Sequence, residues 1–322
     1  MAEIEKRESE TEAPLVTFAL FAYNQEQYIR EAIEGAFSQD YENLEIILSD
    51  DCSRDKTFKI MEECVAAYSG AHRVRIRRNA ENIGVALHFD TLMREARGDL
   101  VVVAAGDDVS APSRTQAIVD AYAENKNATV IESACNNFKV ELDSGDFNLC
   151  DAGLNNFSLE DVLLARSPTL IGAGRCYVRS PYLKFRPLFQ ECPEEDTPAL
   201  FRALYCGEGV YLNKCLVNRR IHDNNLSAID SLMKMKFESL REQYFEDLKA
   251  AFSMGEIGNL DFDKYSGLLS SYINGKQLRV EFHSGFKMGM GFIDIVRSRS
   301  LGVRDKLSYL KKWFLGFFID FS

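Results

Sequence analysis

Leu100-Val-Val-Val-Ala-Ala-Gly-Asp-Asp108 is the stretch whose reading decides the fold. Its first residues are apolar and unbroken by charge, so they read as a strand covered on both faces, and the run ends on two acids. The same pattern recurs upstream. Leu15-Val-Thr-Phe-Ala-Leu-Phe21 and Leu44-Glu-Ile-Ile-Leu48 read as strands, and Val74-Arg-Ile76 as a shorter one. Between them apolar residues recur at helical spacing: Tyr28/Ile29, Ala32/Ile33 and Ala36/Phe37; then Thr57 to Tyr68, with Phe58, Met61, Val65 and Tyr68 inward; then Val85 to Ala96. Asn24 is placed to cap the first of these helices. Strand alternating with helix predicts a mostly parallel, doubly wound α/β sheet flanked by helices, with ligands beyond the carboxyl ends of its strands.

Beyond Tyr122 the rhythm changes. Thr129-Val-Ile131 reads as a strand, Glu141 to Leu154 as loop, and Leu159 to Leu164 and Thr197 to Leu204 as helices. From Ser231 the chain reads as mostly helical, with Phe237, Leu240, Tyr244, Leu248 and Phe252 on one face. The expected division is a disordered acidic tail over 1–13, an α/β domain over 14–228 and a helical C-terminal region over 229–322.

Composition narrows the function. The 322 residues are 46% hydrophobic and 27% charged, which is globular rather than disordered. A net charge of −11 argues against nucleic-acid binding, whose affinity comes from neutralising phosphates. No apolar run is long enough to span a bilayer, and the Glu-rich start has no signal-peptide core. Eight cysteines without a CxxC pair fit a reducing compartment, so a cytoplasmic protein is expected. The run Arg73, Arg75, Arg77, Arg78 reads as decoration of a strand edge.

Each strand run ends in a polar or acidic cluster: Ala22-Tyr23-Asn24, Ser49-Asp50-Asp51-Cys52-Ser53, and Gly106-Asp107-Asp108. Adjacent carboxylates repel unless a cation or hydrogen-bond donors intervene, and hard oxygens suit Mg²⁺ or Mn²⁺. The alternative is that these acids cap the helices that follow. No glycine-rich phosphate loop or GxGxxG follows any strand, which excludes nucleotidyltransferase and dinucleotide-dependent hydride-transfer readings.

The ordered set Phe21-Ala-Tyr-Asn24, Asp50-Asp-Cys-Ser53, Asn82-Ile-Gly84 and Gly106-Asp-Asp108…Pro112 resembles the N-terminal half of family 2 glycosyltransferases. Downstream, Glu194-Glu-Asp196 is similar to the family's Glu-Asp motif, and Asn218-Arg-Arg-Ile-His222…Asn225-Leu-Ser227 to its closing basic-His-Ser motif. The resemblance runs from about Pro14 to Ser227. It implies a GT-A fold and inverting transfer of a sugar from a UDP- or dTDP-linked donor to a hydroxyl acceptor, a saccharide or lipid-linked saccharide in bacterial surface polysaccharide assembly. By the same resemblance Asp196 would be the catalytic base. Phe21, Tyr23, Asn24, Asp51, Asn82 and Asp107 would bind the nucleotide sugar, Asp108 and His222 the metal, and Arg219 and Arg220 the diphosphate. Gly172, Gly174 and Glu195 would line the acceptor side. Ala105 stands where many relatives carry Asp, so the metal site rests on Asp107-Asp108. Asp196, followed by Thr-Pro-Ala, also reads as a helix start, and Gly172-Ala-Gly174 as a simple turn. His88 receives no role.

A non-catalytic scaffold of the same fold is the rival of a different class, and the presence of Asp196 counts against it. Finally, Arg297 to Lys312 holds six basic residues against Asp305 alone, with Leu307, Leu310, Phe314, Phe317 and Phe321 on one helical face. Residues 297–322 therefore read as an amphipathic helix. It would lie on an anionic membrane surface, at the cytoplasmic face of the inner membrane, or pack on its own domain or on a second subunit of a homo-oligomer.

Overall fold

A computed structural model of the chain describes residues 13–138, 154–222 and 235–283. Its first half holds four parallel strands, β1 (Val16–Ala22), β2 (Leu44–Asp50), β3 (Arg73–Arg78) and β4 (Leu100–Ala105), in the order β3-β2-β1-β4. The crossovers are α1 (Ile29–Phe37), α2 (Thr57–Ala67) and α3 (Val85–Glu95). The chain steps outward from β1 to β3, then returns to the far side of β1 for β4. The carboxyl ends of β1 and β4 are therefore neighbours, with Phe21 beside Ala105. Open α/β sheets bind ligands where the strand order reverses in this way.

The second half mixes directions. It contains β5 (Val109–Ser110), α4 (Arg114–Glu124), β6 (Ala128–Phe138), β7 (Leu154–Phe157), α5 (Leu159–Leu163), β8 (Arg175–Val178), α6 (Arg179–Tyr182), α7 (Asp196–Cys206) and β9 (Glu208–Arg220). Strand β8 joins antiparallel to both β4 and β6, β6 runs parallel to β9, and β5 and β7 pair antiparallel with β9. Among the described residues the sheet has nine strands and is an α/β sheet flanked by helices, as expected, with antiparallel joins the apolar alternation did not reveal.

Helix α1 starts later than the Asn24 cap implies. The amides of Tyr28 and Ile29 both donate to the Gln25 carbonyl, and α1 begins at Ile29. Asn24 sits in the left-handed region at φ 53, and its Oδ1 accepts the Arg54 amide at 2.8 Å. It thus pins the β1 and β2 loops together, as short polar side chains in that conformation do.

Two apolar layers cover the sheet. Phe18, Leu20, Ile33, Ile46, Val102 and Ile118 pack on one face. On the other, Phe89, Tyr177, Tyr182 and Phe201 pack with Leu240, Tyr244, Leu269 and Ile273 from α8 (Phe237–Ser253) and α9 (Asn259–His283). These last helices share the core of the domain. A buried charge cluster reinforces the join: Arg202 of α7 makes two bonds to Asp247 of α8, at 2.8 and 2.9 Å. Asp90 of α3 lies 3.6 Å from the same guanidinium and accepts the Tyr182 hydroxyl at 2.7 Å. Among the described residues no helix is long and apolar enough to cross a membrane. The 1–12 part of the tail, the motif end Asn225-Leu-Ser227 and the 297–322 helix lie outside the described residues.

Candidate active site

The carboxyl ends of β1, β2 and β4 bring the three strand-end clusters to one edge. Asp51, 2% exposed, organises the loop that follows β3. Its Oδ1 accepts from Asn79 Nδ2 at 2.7 Å and the Ile83 amide at 3.0 Å, and its Oδ2 accepts the Gly84 amide at 3.0 Å. Asn82 donates to the Asp51 carbonyl at 3.3 Å. A carboxylate oxygen accepts about two bonds, so one acceptor position remains, on Oδ2. Asp50 takes the Ser53 amide and Arg78, at 2.9 and 3.0 Å, and Arg77 donates to Ser49 Oγ at 2.7 Å. The arginines of edge strand β3 thus also reach inward. Tyr23 is exposed at the end of β1, whereas Phe21 packs edge-on against His88 and Phe89 and is turned to the core. Phe21, expected among the nucleotide-sugar contacts, is thus partly buried against the second core layer.

The acidic pair after β4 meets the basic motif through β5, which the sequence pattern is too short to disclose. Val109 and Ser110 zip against Asn218 and Val217 of β9. That register carries Arg220 and His222 onto Asp107 and Asp108. His222 Nε2 lies 2.9 Å from Asp107 Oδ2, and its ring stacks on Tyr28 at 4.8 Å. The Arg220 amide donates to Asp108 Oδ1 at 2.9 Å, and its Nε to the Asp107 carbonyl at 3.2 Å. Burial, then the neighbouring Asp107, pushes the Asp108 carboxyl up to about 7. The diphosphate role expected of Arg220 meets a different arrangement: its buried guanidinium pairs with Glu31 at 2.7 Å and lies over the rings of Tyr28 and Phe138. Arg219, one residue earlier on β9, donates to Asn137 at 3.4 Å. His222, expected with Asp108 as a metal ligand, thus stands against the adjacent Asp107.

The second cluster surrounds Asp196, the first residue of α7. Its Oδ1 accepts the Thr197 amide at 2.7 Å and hydroxyl at 3.2 Å within the first turn, while the cap position itself is Glu195. Its carbonyl accepts Arg175 Nη1 at 2.8 Å and the Tyr177 hydroxyl at 3.3 Å. Arg175 is in turn held by Glu132 at 2.8 Å, both fully buried, and Glu132 also accepts the Ile171 amide. Burial raises the Glu132 carboxyl against the pull of Arg175, while Glu132 outweighs the burial that works against the Arg175 charge. Beside Asp196, burial and then Asp196 itself push Glu195 up to about 8.

Gly172 and Gly174 separate in role. A Cβ at Gly172 would come within 2.9 Å of the Asp196 Cβ and 3.0 Å of its Oδ2, so the missing side chain makes room for that carboxylate. A Cβ at Gly174 would lie 2.3 Å from the Ser133 carbonyl, so that glycine permits the close approach of β6. Arg114, fully buried, joins the two clusters. It donates to Ser110 Oγ at 2.9 Å and, through Nη2, to the carbonyls of Val103 and Ala173 at 2.9 Å and of Arg175 at 3.3 Å. One side chain therefore ties the end of β4 to the glycine turn on which Asp196 rests. Nothing in the sequence marked Arg114 or Glu132, and Tyr28 showed only as part of an apolar helical stripe.

Residues 17–182 match the profile of Glycosyl transferase family 2. The chain is 33% identical to the putative glycosyltransferase EpsE of Bacillus subtilis over 118 residues, 37% of this chain and 42% of that protein. It is 24% identical to an uncharacterized glycosyltransferase of Rickettsia typhi over 81% of this chain and 84% of that one. A chondroitin synthase of Escherichia coli matches at 30% over 42% of this chain and 20% of its own length. The chain thus spans less than half of EpsE and a fifth of the synthase. Among solved structures, Staphylococcus aureus TarS 1-349 in complex with UDP-GlcNAc superposes with a TM-score of 0.59 at 15% identity, covering 94% of this chain and 81% of that one. The mannosyltransferase PcManGT of Pyrobaculum calidifontis, in complex with GDP-Man and Mn²⁺, gives 0.56 at 14%, covering 95% and 85%. The fold is that of GT-A glycosyltransferases, and the chain belongs to glycosyl transferase family 2.

Proposed function

We propose that the protein transfers a hexosyl or deoxyhexosyl group from a nucleoside-diphosphate donor to an acceptor hydroxyl with inversion, in assembly of a bacterial surface polysaccharide on a lipid-linked acceptor. The observation that carries the reading is the pair of carboxylate clusters joined by Arg114: one at the strand-order reversal, the other at the start of α7. Asp196 takes the proton of the acceptor hydroxyl as its oxygen bonds to the anomeric carbon. The bond from that carbon to the diphosphate oxygen breaks with its electron pair, and the nucleoside diphosphate leaves from the opposite face. A fixed orientation suits a base, and Thr197, Arg175 and Tyr177 supply it. Glu195 lies beside it on the acceptor side.

On the donor edge, the one acceptor position left on Asp51 suits a base with a single imide N–H, as in uridine or thymidine, and exposed Tyr23 offers a ring for stacking. Asn24 and Asn82 hold the loops on either side. Asp107 and Asp108 offer hard oxygen donors that suit a divalent cation, with the His222 imidazole against Asp107. Among the described residues there is no cluster of three or more ligand side chains, and Mg²⁺ or Mn²⁺ commonly binds through one or two carboxylates plus substrate phosphates. Asp107 and Asp108 would hold it, and when bound it would neutralise charge on the departing diphosphate. Arg219 contributes positive charge from the end of β9. The names of EpsE and chondroitin synthase support the polysaccharide setting.

A thermal-shift panel of UDP, dTDP and GDP, with Mn²⁺ and with chelator, tests this reading. UDP or dTDP should stabilise the protein, by about 2.7 kcal/mol at a hundredfold excess over Kd, and Asp107→Ala should lose the Mn²⁺-dependent part. Stabilisation by GDP alone, or equal shifts with Mn²⁺ and chelator, would contradict it.

A further inference from the structure

We propose that Glu194, clamped from the two C-terminal helices by Tyr244 and Lys276, is a positioning residue for Asp196, so that α8 and α9 are a working part of the catalytic centre. The inference rests on the reading of Asp196 as the base. The family match ends at residue 182, before α7, α8 and α9 begin.

Glu194-Glu195-Asp196 places three carboxyl groups in succession at the start of α7. Left unpaired, they would repel and spread the loop. Glu194 is drawn out of this triplet. Its Oε1 accepts the Tyr244 hydroxyl at 2.8 Å, and its Oε2 pairs with the Lys276 ammonium. The Lys276 and Glu194 side chains are only 18% and 12% exposed, and Tyr244 lies in the core against Phe201 of α7. Such a partly desolvated pair fixes geometry more firmly than an exposed one, and removing one partner strands the other.

The remaining charges around Asp196 are accounted for. Arg175 and Tyr177 of β8 bind its carbonyl, with Glu132 of β6 behind Arg175. Thr197 holds Oδ1. Burial works against the Lys276 charge, but Glu194, then Tyr272 and Asp196, hold its ammonium firmly protonated. Of the other two carboxyl groups of the triplet, Glu194 is ion-paired, and burial, then Asp196, push Glu195 up to about 8. Lys276 is thus the cation that α9 delivers to this loop.

The test uses the full chain, with UDP- and dTDP-hexoses as donor probes and release of nucleoside diphosphate as the readout. Lys276→Met and Glu194→Gln should lower kcat roughly tenfold to a hundredfold, because a small displacement of a reacting group is costly, while Kd for UDP or dTDP stays unchanged. Lys276→Arg should recover most of the rate. A wild-type kcat in Lys276→Met, with Asp196→Asn inactive, would overturn the inference and leave the base assignment standing. An active Asp196→Asn would instead remove the base assignment itself. If Lys276→Met does not fold, Glu194→Gln carries the same comparison, and a wild-type kcat there is equally decisive.

Discussion

The donor edge and the start of α7 both present carboxylates, yet they are built by different means. At the donor edge the geometry follows from the sheet. Parallel strands end together, and Asp51 is fixed by main-chain amides and Asn79 from the adjoining loop. At the start of α7, charges are held by charges from remote parts of the chain: Glu132 with Arg175, Arg202 with Asp247, and Glu194 with Lys276. The donor edge can be written in short local motifs. The base side needs the whole chain folded around it, including two helices beyond the family match. On the proposed function, a site that meets a common nucleotide uses common topology, whereas the acceptor side draws its precision from tertiary packing.

The largest effect should come from breaking the charge cluster that docks α8 on α7. Asp247→Ala leaves the Arg202 guanidinium buried without its main partner. It should cost about 3–5 kcal/mol in urea unfolding, whereas Arg202→Met with Asp247→Leu should cost far less. A single variant within about 0.5 kcal/mol of wild type would show that apolar packing alone joins the two regions.

A smaller effect belongs to the donor side. His88 is buried beneath β2, where Ser49 Oγ accepts from Arg77 and its hydroxyl lies 2.5 Å from His88 Nε2. Burial, with Arg77 adding to it and Asp51 opposing, lowers the imidazole to about 4. The folded state therefore refuses a proton that the unfolded state accepts below its ordinary value near 6.5. Stability from this group is full above that value and is lost as pH falls through about 4, to the extent of about 3 kcal/mol at most. Urea midpoints between these pH values should fall more steeply in wild type than in His88→Gln. Parallel curves would show that His88 takes up its proton without cost.

What was legible in the sequence divides along the same line. The apolar runs of β1 to β4 and the helical spacing between them suffice for the parallel half, because a doubly wound sheet repeats one local pattern. β8 is four residues long, and β9 is interrupted by Asn213, Lys214 and Asn218, so neither shows a clean period. The acids after β2 and β4 were visible because strand ends point at ligands. Glu132 and Lys276 were not, since a buried ion pair leaves no spacing signal between its partners, and Arg114 was not, because it binds mainly main-chain carbonyls. Asn24, Phe21 and Gly174 matched motifs or turn rules, but the contacts they make within the chain were not legible from those rules.

The central claim is that Asp196 accepts the acceptor's proton while the donor is held elsewhere. Asp196→Asn keeps the shape and the Thr197 contacts at the start of α7 but cannot take up that proton. Its kcat should fall by about 10²–10⁴ with the Kd for UDP or dTDP unchanged. Turnover within about tenfold of wild type, or weakened nucleotide binding with turnover intact, would contradict the account.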